Sequence, residues 1–298
     1  MRDQVRLVEV GPRDGLQNES SHLPTNVKIE LIRRLFGAGI RHIEAGAFVS
    51  PKWVPQMADS AAVIDALNAP ERAEVLALVP NEAGLKSALA SQVETIAVFT
   101  AASETFSKRN TNCSIEDGLA RLRPVVQQAR DAGRQVRGYV SCIVGCPYEG
   151  RVPIASVVRV AEELFAMGCD EIALGDTNGV ARPAEIRALL KAVTAGIPAS
   201  QIAIHVHDTY GMGLANVLTS LELGLRSVDA SVAGLGGCPY APGASGNVAT
   251  EDVVYLLEGQ GLTTGIDLDA LIQVGTWICN TLGRVPSSRV SAARSTRS

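Results

Sequence analysis

The stretch Glu171-Ile172-Ala173-Leu174-Gly175-Asp176-Thr177-Asn178-Gly179-Val180-Ala181-Arg182-Pro183-Ala184-Glu185-Ile186 holds one complete folding unit. A short apolar run comes first and reads as a strand buried on both faces. A polar turn follows. Arg182-Pro183 then opens a helix, since proline suits the first helical position, where no N–H is needed. The same order recurs along the chain. Strand-like runs lie at 4–10, 42–48, 74–79, 95–100, 135–141, 171–174, 202–206 and 227–232. Segments with apolar residues at helical spacing separate them, as at 27–36, 115–132, 154–167 and 183–193. Pro24-Thr25-Asn26 opens the first of these helices, and Gly37 and Gly39 close it.

Eight alternating units in about 250 residues match a (β/α)8 TIM barrel. The rival is an open doubly wound sheet, which needs a Gly-rich phosphate turn after its first strand. The first strand here runs instead into Gly11-Pro12-Arg13-Asp14-Gly15. The expected fold is therefore an α/β TIM barrel with additional C-terminal helices at 262–282. It forms one catalytic domain over 1–285, and the Ser/Arg-rich segment 286–298 is expected to be a flexible tail.

The chain has 298 residues, 46% of them hydrophobic and 19% charged, enough for a large core. A net charge of −4 gives no general attraction for nucleic acid, so no such partner is expected. Six cysteines scattered through a core-rich chain suit a reducing compartment better than a disulfide framework. No signal peptide pattern and no run of about 20 apolar residues stands out. The reading is a cytoplasmic protein with no membrane partner.

Function in such a barrel gathers where strands end and loops begin. The seventh run ends Ile204-His205-Val206-His207-Asp208. Residues two apart on a strand share a face, so the two imidazoles meet if that face points inward. One such histidine would more often be a hydrogen-bonded core residue; two on one face at a strand end favour a metal. Asp14 offers a hard oxygen and Arg13 a fixed charge beside it, although Gly, Pro and Asp also simply form turns. After the eighth strand, 234–247 holds five glycines and two prolines in fourteen residues, a long loop. Cys238 sits at its tip, where a core thiol would find little to pack on. Asn247 ends the loop and is either an amide-oxygen ligand or a cap for the helix from Thr250. Glu44, Asp176 and Gln17 can also reach the barrel mouth, and Glu44 most simply pairs with Arg13. Cys142 and Cys146 read as structural. Lys108 and Arg109 read first as an ordinary solvated pair.

Several motifs then point to a family. Glu9-Val10-Gly11-Pro12-Arg13-Asp14-Gly15-Leu16-Gln17-Asn18-Glu19 resembles the first-strand motif of the 3-hydroxy-3-methylglutaryl-CoA lyases. Phe48-Val49-Ser50-Pro51-Lys52-Trp53-Val54-Pro55-Gln56-Met57, Gly145-Cys146-Pro147-Tyr148-Glu149-Gly150 and Ser231-Val232-Ala233-Gly234-Leu235-Gly236-Gly237-Cys238-Pro239-Tyr240 are similar to that family too. The resemblance implies a carbon–carbon lyase acting on an acyl-CoA. It implies a divalent cation, Mg²⁺ or Mn²⁺, held by Asp14, His205, His207 and Asn247. Arg13 would stabilise an enolate and Cys238 would transfer a proton. Glu44 and Asp176 would take further catalytic roles, with Gln17 and Thr177 touching substrate. A homodimer is expected. Asn178 and the run Ala45-Gly46-Ala47 depart from the family pattern and bear on pocket size. The alternatives are a lyase for a larger 3-substituted glutaryl-CoA, or a metal-dependent synthase or aldolase for a 2-oxo acid.

Overall fold

The computed structural model describes residues 4–17, 19, 21–237 and 246–295. Eight of its strands close a parallel barrel. They are β1 (Arg6–Glu9), β2 (His42–Ala47), β3 (Glu74–Leu78), β4 (Thr95–Ala101), β5 (Gln135–Ser141), β8 (Glu171–Asp176), β9 (Ile202–Val206) and β10 (Ser227–Ala230). Two short strands, β6 (Gly145–Cys146) and β7 (Gly150–Arg151), form an antiparallel hairpin after β5 that the sequence pattern did not suggest. Around the barrel the order is β1-β10-β9-β8-β5-β4-β3-β2, and β2 closes on β1. All eight expected strands are present, and the four expected helices appear as Thr25–Gly37, Ile115–Asp131, Ile154–Met167 and Pro183–Val193. Among the described residues no helix is long and apolar enough to cross a membrane.

Two departures from the sequence reading have clear physical causes. The segment taken for a flexible tail contains a helix, Arg289–Ser295. Its composition is polar, but a buried carboxylate organises its start. Asp252 accepts hydrogen bonds from Ser288 Oγ (2.7 Å), Arg289 N (3.1 Å) and Val290 N (2.9 Å). Asn247 does not cap the helix Thr250–Gly259, whose N-cap is Ala249. Its side chain is used elsewhere.

The barrel interior is more polar than an apolar strand pattern implies. Arg6 on β1 reaches Glu74 on β3 (2.6 Å) and Glu171 on β8 (2.7 Å). Arg137 on β5 reaches Asp229 on β10 (2.7 Å). In each bonded pair the two strands are not neighbours in the sheet, so the bonds cross the lumen. Arg137 is 1% exposed and Asp229 is equally buried. Removing one partner of such a pair strands a buried charge and costs about 3–5 kcal/mol.

Two further carboxyls, Glu9 and Glu251, are also fully buried. Both oxygens of Glu251 accept from the N–H of Ala233 (3.0 and 2.9 Å). Burial, reinforced by nearby Glu9 and Asp252, pushes the Glu251 carboxyl up to about 8, and burial pushes Glu9 up to about 7. An acid raised in the folded state adds stability below its ordinary pKa and loses it as pH climbs through the raised value. The melting temperature is therefore expected to fall as pH rises from the ordinary glutamate range to about 8. In Glu251→Gln, which keeps the shape of the protonated acid, that fall should shrink. Calorimetry across this range checks it, and an equal slope in both proteins would exclude Glu251 as the source.

Candidate metal and active site

The mouth of the barrel is built first from β9. His205 and His207 share a face, and their ring centroids lie 5.4 Å apart. Their Nδ1 atoms are both engaged from behind. His207 Nδ1 lies 2.7 Å from the carbonyl oxygen of Thr177. A carbonyl only accepts, so this nitrogen carries the proton and Nε2 keeps its lone pair. His205 Nδ1 lies 3.1 Å from Asp229 Oδ2, which fixes that ring in the same sense. Burial, with His205 alongside, lowers His207 to about 4, so it is neutral at neutral pH. Burial also opposes charge on His205, but Asp229 and Asp14 outweigh it and raise its pKa.

Asp14 arrives from the turn Gly11–Gly15, which winds wide enough for Gly15 N to donate to Val10 O (3.1 Å). Only glycine fits at position 15: a Cβ there would sit 2.9 Å from the side chains of Leu235 and Ser231. The wide turn lets Asp14 lean over the strand end. Its Oδ2 lies 3.9 Å from His205 Nε2. One ligand atom from each of Asp14, His205 and His207 falls within 4.8 Å of the others. Burial would raise the Asp14 carboxyl, but Arg13, His205 and His207 outweigh it and hold it well below the usual carboxylate range. Asn247 lies against this group. Its Nδ2 donates to Asp14 Oδ2 (2.8 Å) and to Leu235 O (3.2 Å).

The donor set fits a divalent cation. It offers one ionised carboxylate, two imidazoles with Nδ1 already spoken for, and an amide that presents oxygen after a half turn. No cysteine among the described residues joins the group, as a closed zinc site would require.

Arg13 stands beside this group. Its Nε and Nη2 donate to Glu44 Oε2 (2.9 and 2.7 Å), and its Nη1 donates to Asp14 Oδ1 (2.8 Å). A guanidinium has five N–H donors, so two are left uncommitted among the described residues. Burial opposes the Arg13 charge, but Glu44 and Asp14 more than restore it. Glu44, fully buried, keeps Oε1 without a hydrogen-bond partner among the described residues. The sequence-based pairing of Glu44 with Arg13 is thus present.

Asp176 ends β8 and is also fully buried. Its Oδ2 accepts from Ala181 N (3.0 Å), while Oδ1 has no partner among the described residues. Burial raises this carboxyl to about 6. Thr177 Oγ1 accepts from Cys142 N (2.8 Å), which leaves its own hydrogen free to donate. That bond pins Cys142 in a left-handed conformation (φ 62°), a strained state for a residue with a side chain. Gln17 follows the Asp14 turn and is half-buried. Cys238 lies outside the described residues. Arg109 is stacked over the Tyr148 ring (4.3 Å).

Three residues of this network were not singled out from sequence: Asp229, Arg137 and Tyr139. Arg137 Nη1 donates to Tyr139 Oη (2.9 Å), and that hydroxyl lies 3.4 Å from Glu44 Oε2. A signal existed. Arg137 and Tyr139 are two apart on β5, and Asp229 interrupts an apolar run on β10, so each marks an inward polar face.

The chain is similar along its length to named proteins. A relative named hydroxymethylglutaryl-CoA lyase, mitochondrial, from Gallus gallus is 53% identical over 290 residues, covering 97% of each chain. The crystal structure of hydroxymethylglutaryl-CoA lyase from Pseudomonas aeruginosa superposes with a TM-score of 0.97 at 51% identity, covering both chains fully. An HMG-CoA lyase from Acinetobacter baumannii, in complex with coenzyme A and 3-methylmalate, gives 0.94 at 37% identity, covering 98% of this chain and 96% of that one. The HMGL-like family model matches residues 4–278, so the chain belongs to the HMGL-like family.

Proposed function

We propose that this chain cleaves 3-hydroxy-3-methylglutaryl-CoA into acetyl-CoA and acetoacetate. The observation that carries the reading is the uncommitted edge of Arg13, held by Glu44 beside the Asp14–His205–His207 group. The identity with lyases of that name supports it. Mg²⁺ or Mn²⁺, held by Asp14, His205, His207 and Asn247, supplies Lewis acidity when bound and makes the C3 hydroxyl easier to deprotonate.

Asp176 takes the C3 hydroxyl proton through its unpartnered oxygen. Its raised pKa suits exchange of a proton near neutrality. As the C3–O electrons form the new ketone, the C2–C3 bond breaks and its pair moves to the thioester oxygen. The two remaining N–H groups of Arg13 meet that enolate charge. Cys238 gives its proton to C2, since an ordinary thiol, with a pKa of about 8.5, still carries its proton at neutral pH. The proton held by Asp176 returns to the thiolate through solvent, and atoms and charge balance. Thr177 and Gln17 orient the substrate.

Purified protein with Mg²⁺ or Mn²⁺ should release acetoacetate from this acyl-CoA in a coupled assay, and chelation should abolish the release. Cleavage of a larger 3-substituted analogue in preference would transfer the proposal to that substrate. Arg13→Met should lower kcat by about 10²–10³, as loss of a preorganised donor does, with the circular dichroism of the barrel unchanged. Loss of the fold in that variant would make Arg13 structural. Cys238→Ser should retain metal and acyl-CoA binding yet turn over far more slowly; a near wild-type rate would remove the thiol from the mechanism.

A further inference from the structure

Glu9 lies on β1 but serves none of the chemistry above. It is 0% exposed. A charged or chargeable group so buried needs several partners to offset its desolvation. Its partners come from three segments: the turn just after it, the end of β10 and the start of the helix Thr250–Gly259. Oε1 accepts from Gly11 N (2.8 Å) and from Val232 N (2.9 Å). Oε2 accepts from Thr250 Oγ1 (2.7 Å).

Each donor stands close to a residue of the metal group. Gly11 opens the turn that carries Asp14, three residues further on. Thr250 lies three residues past Asn247. Val232 is where the chain leaves β10, two residues beyond Ala230 and three beyond Asp229, the partner of His205. The segments join again at the mouth, where Asn247 donates to Asp14 and Ser231 N bonds Val248 O (3.1 Å). Gly11 itself is fitted to this carboxylate, because a Cβ there would fall 2.5 Å from Glu9 Oε1.

We infer that Glu9 is a positioning residue for the metal site: one buried carboxylate sets the spacing between the Asp14 turn, the Asn247 segment and the end of β10, so that ligands separated by more than two hundred residues of chain meet at one point. The inference rests on the reading that Asp14 and Asn247 bind a divalent cation. The register of β1 with β10 ends at Glu9 and Ala230. Bridges from His207 to Asn247 and from Ser231 to Ala249 seat the Asn247 segment on the ends of β9 and β10, and Glu9 ties that segment to the Asp14 turn.

Mn²⁺ titration followed by electron paramagnetic resonance tests this without relying on turnover. Glu9→Ala should weaken Mn²⁺ binding by about 10–100-fold, the usual cost of losing an outer partner of a metal ligand. Its kcat should fall while KM for the acyl-CoA changes little. Glu9→Gln keeps an acceptor for the two N–H groups, and threonine can reverse its role toward the amide nitrogen, so this variant should recover most of the affinity. Thr250→Val removes only the Oε2 partner and should weaken binding by a smaller factor; it decides the matter if Glu9→Ala does not fold. Unchanged Mn²⁺ affinity in a folded Glu9→Ala, or in Thr250→Val when Glu9→Ala is insoluble, would reduce Glu9 to a fold-stabilising residue. Failure of the wild-type protein to bind Mn²⁺ at all would instead sink the metal reading on which the inference stands.

Discussion

An imidazole ligates a cation only through a nitrogen that keeps its lone pair, so this site depends on what holds the other nitrogen. Two different devices do so here. A backbone carbonyl, that of Thr177, holds His207, and a side-chain carboxylate, Asp229, holds His205. The carbonyl is neutral and leaves burial to dominate, so His207 stays unprotonated. The carboxylate outweighs burial and raises the pKa of His205 above the ordinary imidazole value. Asp229 is in turn held by Arg137, which also orients Tyr139 toward Glu44. Glu44 holds Arg13, and Arg13 holds Asp14. The charges form a ring around the mouth, from one ligand to another through buried partners.

Such a ring is weak evidence for stability, since desolvation offsets most of the Coulomb gain. Its value lies in geometry. Each guanidinium is a rigid fork, so Arg13 and Arg137 fix angles as well as distances. Sharing Arg13 between Glu44 and Asp14 has a specific consequence. A full bidentate pair with Asp14 would neutralise the carboxylate that a cation needs. Instead Glu44 takes two of the donors and Asp14 only one, through Oδ1, so Oδ2 faces His205 and Asn247.

The barrel was legible in the chain because eight short apolar runs and the helices between them have different periods, and their lengths leave little choice. Much of the site was legible for a related reason: Asp14, His205, His207 and Asp176 are polar groups at strand ends, where core packing has no use for them. Arg137 and Asp229 escaped notice because their meaning depends on which strands face each other across the lumen. Neighbouring strands share a register that a sequence pattern reflects; opposite strands do not. Asn247 illustrates the limit of a local rule. Three residues before a helix, an asparagine reads as a cap, yet Ala249 takes that place and the amide turns to Asp14. Composition misled at the C-terminus, where a Ser/Arg-rich run folds because Asp252 gathers its first N–H and O–H groups.

The distribution of buried acids divides the molecule by task. Glu74, Glu171 and Asp229 meet arginines inside the barrel and stay ionised. Glu9 and Glu251 meet only backbone and hydroxyl donors at the base of the turns, and burial raises them. Asp176 and Glu44 keep one oxygen each without a partner among the described residues. An unsatisfied buried acceptor costs about 1–3 kcal/mol. Asn178, Asn216 and Ser231 also bury an unpartnered oxygen among the described residues, so the cost is not confined to acids. What sets Asp176 and Glu44 apart is that each is a carboxyl within electrostatic reach of the metal group, Asp176 of His205 and Glu44 of Asp14, where an open acceptor can meet a donor from outside the chain.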